Sequence, residues 1–273
     1  MSPRETQFPG QVVKAVDLTR RFGQRAAVDR ATFDVKAGEI FGLIGPNGAG
    51  KSTLIKMLTT LLPPTSGSAW VAGFDIGAHA GAVRRCIGYV PQLLSADGEL
   101  TGYENLLLSA RLYLLPASER KARIEEALSM MGLHDVANRL VRTYSGGMIR
   151  RLEIAQSTLH RPRLIFMDEP TIGLDPSGRH LVWQHVRALR AQAGTAILLT
   201  THQMEEADSL CDRIGVLCAG RLVAVGSPAE LKQRVGAHAT LDDVFEALTG
   251  TALAARGDYR NVREERRGVR EHG

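Results

Sequence analysis

The residues Gly45-Pro46-Asn47-Gly48-Ala49-Gly50-Lys51-Ser52 fit G-x-x-x-x-G-K-[ST], the pattern of a loop that cradles nucleoside triphosphate phosphates. Glycines let such a backbone curl until successive N–H groups point into one hollow. A helix beginning at the end of the loop adds positive potential and unpaired donors. Lys51 supplies a mobile point charge for the β and γ phosphates. The hydroxyl of Ser52 is a hard oxygen suited to Mg2+. A second constellation, Leu164-Ile165-Phe166-Met167-Asp168-Glu169, is an apolar run ending in two carboxylates. Strands of α/β sheets deliver side chains to ligands at their C-terminal edge. There Asp168 is placed to hold Mg2+, directly or through water, and Glu169 to orient and deprotonate an attacking water.

Four further pieces belong beside these two. Gln92 comes after Tyr89-Val90-Pro91, where an amide can contact Mg2+ or water and report movement of the residues beyond it. His202 ends the run Leu198-Leu199-Thr200-Thr201 and can hydrogen-bond a γ-phosphate. Ser145-Gly146-Gly147 leads into Met148-Ile149-Arg150-Arg151-Leu152-Glu153, placing a hydroxyl and two glycines at a helix N-terminus, a second anion site distinct from the first. Gly173-Leu174-Asp175-Pro176 makes a turn just after the two carboxylates. Taken alone, a lone histidine is more often structural, and two acids at a strand end can also be read as merely solvated. Joined to the loop at Gly45–Ser52, they read as one site.

The elements that must position these groups are legible in outline. The run Ile40-Phe41-Gly42-Leu43-Ile44 reads as a buried parallel strand before the loop, and Ser52–Leu58 as a helix after it. Residues 11–35 alternate as strands do and close on the turn Lys36-Ala37-Gly38. Further strands are expected at Ile87–Val90, Leu164–Met167, Ala196–Thr200, Ile214–Leu217 and Leu222–Val225, with helical patterns between many of them. That alternation predicts an α/β fold with a largely parallel sheet flanked by helices. Residues 93–160 contain no convincing strand and read as a helical insert. Within it Thr101 and Glu104 fit a capping box, and Ser118 is a candidate cap for a helix that stops at Gly132. A last amphipathic helix shows at Leu241, Val244, Phe245 and Leu248, expected to pack on the core.

Composition sets the class. The chain has 273 residues, 44% hydrophobic and 23% charged, ordinary for a soluble globular protein. No run approaches the roughly 18 apolar residues that cross a bilayer, and the first residues lack a signal-peptide core, so a cytosolic protein is expected. Cys86, Cys211 and Cys218 lack zinc-type spacing and read as reduced thiols in or near the core. The net charge of +5 is mild, with two basic spots: Arg150-Arg151, and a tail after Gly250 in which six arginines interleave with glutamates. The tail has almost no aromatics and reads as a solvated or frayed helix, so no nucleic-acid partner is expected.

In this order, Gly45 through Thr53, Gln92, Ser145-Gly146-Gly147, Asp168-Glu169, Asp175 and His202 resemble the Walker A, Q-loop, signature, Walker B, D-loop and H-loop segments of the ATP-binding cassette (ABC) ATPases. The resemblance covers roughly residues 11–250 and implies a P-loop NTPase core. That core has a mostly parallel sheet, an N-terminal antiparallel part and a helical subdomain at about 93–160, followed by a charged tail at 251–273. It implies ATP and Mg2+ as ligands, with Ser52, Gln92 and Asp168 toward the metal and Lys51, Gln92, Glu169 and His202 in hydrolysis. It also implies a head-to-tail homodimer in which Ser145 and Gly147 of one subunit close on the γ-phosphate held by Lys51 of the other. Phe22 falls where the family stacks an aromatic on adenine.

The stretch Tyr144–Leu152 and the ending Thr240–Gly250 look like the drug-export branch, typified by daunorubicin/doxorubicin-resistance ATPases. Met148 stands where many members of the wider family have Gln, and Phe22 where Tyr is commoner. That branch implies a separate integral-membrane permease, docked between core and insert near Gln92 and Tyr103, and a location at the cytoplasmic face of the membrane. The alternative is a non-transport ABC ATPase acting on ribosomes or DNA. Ribosome-acting members usually fuse two cassettes, whereas one Walker A is present here, and the stretch from Gln92 to Ser145 is too short for a coiled-coil insert. An importer subunit would use the same chemistry. The cargo is not legible, because cargo contacts lie in the permease.

Overall fold

The structure is a computed structural model that describes residues 8–250. Strands β1 (Gln11–Phe22) and β2 (Arg25–Lys36) form an antiparallel hairpin around Gly23-Gln24. Then come β3 (Ile40–Ile44), α1 (Lys51–Leu58), β4 (Ser66–Val71), β5 (Phe74–Asp75), α2 (Ala80–Cys86) and β6 (Ile87–Val90). Three helices come next with no strand between them: α3 (Gly102–Leu112), α4 (Ala117–Met130) and α5 (Gly146–Thr158). The chain returns through β7 (Leu164–Asp168), α6 (Pro176–Ala193), β8 (Ala196–Thr201), α7 (Met204–Leu210), β9 (Arg213–Cys218), β10 (Arg221–Gly226), α8 (Pro228–Gln233) and α9 (Leu241–Thr249).

The strands make two sheets, a four-stranded one in the order β2-β1-β4-β5 and a six-stranded one in the order β10-β9-β3-β8-β7-β6. In the larger sheet β9, β3, β8, β7 and β6 run parallel, and only β10 is antiparallel. Every residue of β3, β7 and β8 is buried, as the apolar runs of a sheet covered on both faces require. Alternate residues feed two cores. Ile40, Ile44, Ile165, Met167, Ile197 and Leu199 pack toward the helices that carry Leu152, Val182 and Phe245. Phe41, Leu43, Leu164, Phe166, Ala196 and Leu198 pack toward α1 and the antiparallel sheet, through Leu54, Val13 and Phe33. The fold class expected from the sequence is the one observed.

Several local expectations need correction. Strands β4 and β5 and helix α2 were not legible, because β4 buries only Ala69 and Val71 and carries Gly67 in its interior. Helix α4 begins one residue before Ser118, with Pro116 at its cap, so Ser118 stands inside the first turn and caps nothing. Leu248 is not a core residue; α9 buries Leu241, Val244 and Phe245 and then ends at Gly250, whose φ of 65° terminates it. Arg150-Arg151 is not a basic surface spot, since Arg150 is fully buried against Glu153. The Thr101/Glu104 capping box is present, and all three cysteines are free, Cys211 buried and the other two half-buried. The arginine-rich tail lies outside the described residues.

Candidate active site

Parallel register brings the chemistry to one edge. Ile44 lies beside Thr201, Asp168 beside Thr200 and Val90 beside Met167, so the residues leaving these strands are Gly45, His202, Glu169 and Pro91. All lie at C-terminal strand ends, where no further ladder competes for their polar groups.

The glycine loop is shaped by close approach. Gly50 caps α1 with φ +109° and lies so near the carbonyl oxygen of Ala27 that a Cβ there would collide with it. Lys51 is next, buried, with its ammonium donating to the carbonyls of Gly45 at 2.7 Å and Pro46 at 3.3 Å. Its third partner is the Glu169 carboxylate at 3.1 Å, so all three donors of the ammonium are engaged. The other oxygen of Glu169 lies 2.8 Å from Nδ1 of His202, whose side chain is about a third exposed. Glu169 itself holds φ 50°, a left-handed conformation that an L side chain adopts only under constraint. The constraint is visible: its N–H donates to the hydroxyl of Thr200 at 3.0 Å and to the Thr200 carbonyl at 3.2 Å.

Asp168 is buried and accepts from the Thr200 hydroxyl at 2.6 Å and the Ser52 hydroxyl at 3.1 Å, both on Oδ1. Ser52 and Asp168 therefore present two hard oxygens side by side at the start of α1, a donor set that suits Mg2+. One ammonium, that of Lys51, is paired with Glu169, and the second carboxylate, that of Asp168, has hydroxyl partners only. Among the described residues no group of three or more His, Cys, Asp and Glu side chains forms a cation cage, so a metal here would draw its remaining ligands from elsewhere. Nearby, burial and the negative charge of Asp168 push the Tyr89 phenol up to about 12.

The remaining expected site residues are distributed around this centre. The Gln92 side chain is exposed and makes no hydrogen bond among the described residues, while its carbonyl accepts from Arg150 at 2.8 Å. Pro46, Asn47, Gly48 and Ala49 form the loop itself, and Thr53 lies in the first turn of α1. The Ser145 hydroxyl caps α5 by accepting from the Met148 N–H at 3.3 Å. Asp175 caps α6 by accepting from the Gly178 N–H at 3.3 Å. These two caps are neighbours, because Gly146 abuts Leu174 and Gly147 abuts Gly178. No hydrogen bond or ion pair joins Ser145, Gly146 or Gly147 to Lys51, Ser52 or Asp168. Phe22 is 52% exposed, and the Arg20 guanidinium lies over its ring at 4.7 Å.

Sequence reasoning missed Thr200 and Glu206. Thr200 binds both carboxylate residues, and its signal was a pair of threonines ending an apolar strand. Glu206 is buried on α7 and accepts from Thr171 and from the Trp183 indole, each at 2.9 Å. Burial pushes its carboxyl upward against these bonds, and the charge of Glu169 adds to the rise.

A family model described as ABC transporter matches residues 28–172, just over half of the chain. The chain belongs to the ABC transporter family. It is one of the family's ATP-binding proteins, an ATPase whose P-loop core carries the groups just described. Over 230 residues it is 46% identical to the daunorubicin/doxorubicin resistance ATP-binding protein of Streptomyces peucetius, covering 84% of this chain and 69% of that relative. A solved ATP-binding subunit of an ABC transporter superposes with a TM-score of 0.77 at 31% identity, over 87% of this chain and 99% of that one. An ATP-binding cassette solved as a dimer in a post-hydrolysis state, bound to ADP and Pi, superposes with a TM-score of 0.70 at 27% identity, over 79% and 98% of the two chains. Among the described residues of this ABC ATPase no helix is long and apolar enough to cross a membrane.

Proposed function

We propose that this ABC ATPase powers efflux of a drug-like or other small lipophilic compound through a separate membrane permease, at the cytoplasmic face of the membrane. The observation that carries the chemistry is the convergence of Lys51, Ser52, Asp168, Glu169 and His202 within one hydrogen-bonded group at the sheet edge. The export direction and cargo class rest on the likeness to the daunorubicin/doxorubicin resistance protein. Residues 11–250 form the ATPase unit, with 93–160 as its helical subdomain.

ATP enters the loop at Gly45–Thr53, its adenine against the exposed ring of Phe22. Its phosphates take the place of the Glu169 carboxylate on Lys51. Ser52 and Asp168, with Gln92, hold Mg2+, which when bound supplies charge neutralisation of the phosphates. Glu169 is then released toward the attacking water, held by His202 on its second oxygen. Water oxygen bonds to the γ-phosphorus, the bond from that phosphorus to the β-bridging oxygen breaks, and Glu169 takes the water's proton. ADP and phosphate leave.

A second copy of the chain completes the site, its Ser145 and Gly147 donating to the γ-phosphate and its Asp175 segment lying across the interface. Catalysis in this scheme is mainly positioning and electrostatic stabilisation, and the closing and reopening of the dimer move the permease.

The test is affinity capture of the tagged chain from native membranes, with ATPase assay of the recovered material. A polytopic membrane protein in stoichiometric amount and Mg2+-dependent ATP hydrolysis are expected. Ribosomes or DNA in its place overturn the transport reading.

A further inference from the structure

Arg150 and Glu153 lie one turn apart on α5 and are both buried, in the interior of a helix that starts at the Ser145 cap. They form an ion pair at 3.0 Å, but their other bonds all leave the helix for one short stretch of chain. The Arg150 guanidinium donates to the carbonyl of Pro91 at 2.6 Å and to the carbonyl of Gln92 at 2.8 Å. The Glu153 carboxylate accepts from the N–H of Ser95 and from its hydroxyl, the latter at 3.1 Å. Residues 91–96 belong to no helix or strand, and the side chains of Gln92, Leu93 and Leu94 are exposed. This segment is thus gripped from both electrostatic sides: carbonyls by a cation, an amide by an anion.

The adjacent arginine behaves differently. Arg151 donates to the carbonyls of Gly147 at 3.4 Å and Met131 at 2.9 Å, both within the helical insert. Arg150 alone of the pair reaches the strand end that carries Gln92. A buried ion pair is weak evidence for stability, because well-packed apolar residues of the same volume serve as well or better. What apolar residues cannot supply is direction. A planar fork holding two successive carbonyls fixes the position and orientation of the peptide between them.

We infer that Arg150 and Glu153 are positioning residues that fasten the Gln92 segment to the helix headed by Ser145-Gly146-Gly147, so that closure at the nucleotide displaces both together. The inference rests on the proposed ATPase cycle. Its consequence is mechanical. A phosphate drawn onto Ser145 pulls α5, a rigid rod of about 20 Å, and the second and third turns of that rod, through Arg150 and Glu153, hold the backbone on either side of the exposed Leu93 and Leu94. The nucleotide state is then written into the segment that lies at the exit of β6.

The test compares wild type, the double variant Arg150→Met with Glu153→Leu, and the single variant Arg150→Lys. The double variant removes both charges, so no unpaired ion is left inside. Hydrogen exchange of residues 93–96, which lie outside the Gln92 contact to the metal, and of residues 145–148 is monitored with and without Mg2+ and a non-hydrolysable ATP analogue. In wild type both segments respond to the analogue. In the double variant residues 145–148 respond, while the response of residues 93–96, which lie beyond the Gln92 side chain and in wild type are held by Glu153 at Ser95, is lost. At the same time kcat falls at least about tenfold while KM stays within about threefold, the pattern of a lost transition-state arrangement with intact binding. Arg150→Lys keeps the charge but not the fork, gives an intermediate loss, and decides the question if the double variant fails to fold. Retention of kcat within about twofold, or joint response of the two segments in the variants, overturns the inference alone. A wild-type chain that hydrolyses no ATP overturns the ATPase reading and the inference with it.

Discussion

The Glu169 carboxylate sits on the same ammonium that the proposed cycle gives to a nucleotide phosphate, that of Lys51. The two charges are 3.1 Å apart, each about 5% exposed. At an effective dielectric constant of about 20 their Coulomb attraction is about 5 kcal/mol, before desolvation is set against it. Removing one partner of a buried pair typically costs about 3–5 kcal/mol. Here Lys51 keeps the carbonyls of Gly45 and Pro46, so the cost of Glu169→Gln is placed at about 2–3 kcal/mol. For a domain of this size that lowers Tm by about 4–10 °C. The same free energy reappears in binding. A nucleotide phosphate supplies Lys51 with the anion that the variant lacks and no longer has to displace a carboxylate, so affinity rises about 30-fold for each 2 kcal/mol.

The assay is thermal unfolding and calorimetric titration of both proteins with Mg2+ and ADP. ADP reaches the loop but lacks the γ-phosphate on which a second subunit would close. The expected result is a less stable variant without nucleotide, a narrowed gap at saturating ADP, and tighter ADP binding by the variant. Equal melting temperatures without nucleotide, or equal ADP affinities, refute the competition between carboxylate and phosphate for Lys51.

Three other outcomes are expected from the same geometry. Thr200→Val removes the hydroxyl that donates to Asp168 at 2.6 Å; a hydrogen bond to a charged group contributes about 1.5–3 kcal/mol, so ATPase kcat should fall roughly 10- to 100-fold with Thr200→Ser close to wild type, read by phosphate release. Lys51→Ala should weaken ATP at least about tenfold by calorimetry, since it deletes a charge-assisted contact and leaves the carboxylate of Glu169 without its cation. Glu206 has its carboxyl raised by burial, so the folded chain holds that proton more tightly than the unfolded one, and the group's contribution to stability is present below the ordinary carboxylate pKa and lost as pH rises through the folded value. Glu206→Gln abolishes that slope, so urea midpoints of variant and wild type should diverge in the variant's favour from about pH 4.5 upward; parallel curves would exclude the buried carboxylate as their source.

Much of the site was readable because its motifs are local. Gly45–Ser52 needs only a backbone that curls and a helix directly after it, and both requirements are stated by consecutive residues. The apolar runs before Asp168 and His202 likewise name strands, and parallel strands deliver their last residues to one edge. Strand β4 was illegible because its fit depends on β1 beside it, and its own burial is confined to two positions. Arg150 misled because charge alone suggests a surface, whereas its partners are backbone groups 58 and 59 residues away in sequence.

By itself the amino-acid sequence determined the phosphate loop, the two carboxylates, the α/β class and the family, since each is written in residue types at short and regular spacing. The tertiary structure decided the pairings: that Glu169 rests on Lys51, that Thr200 holds both acids, and that Arg150 clasps the Gln92 segment. Such contacts join residues far apart in the chain. Which of them form depends on sheet register and on how α5 packs against β6, and no short stretch of sequence carries that information.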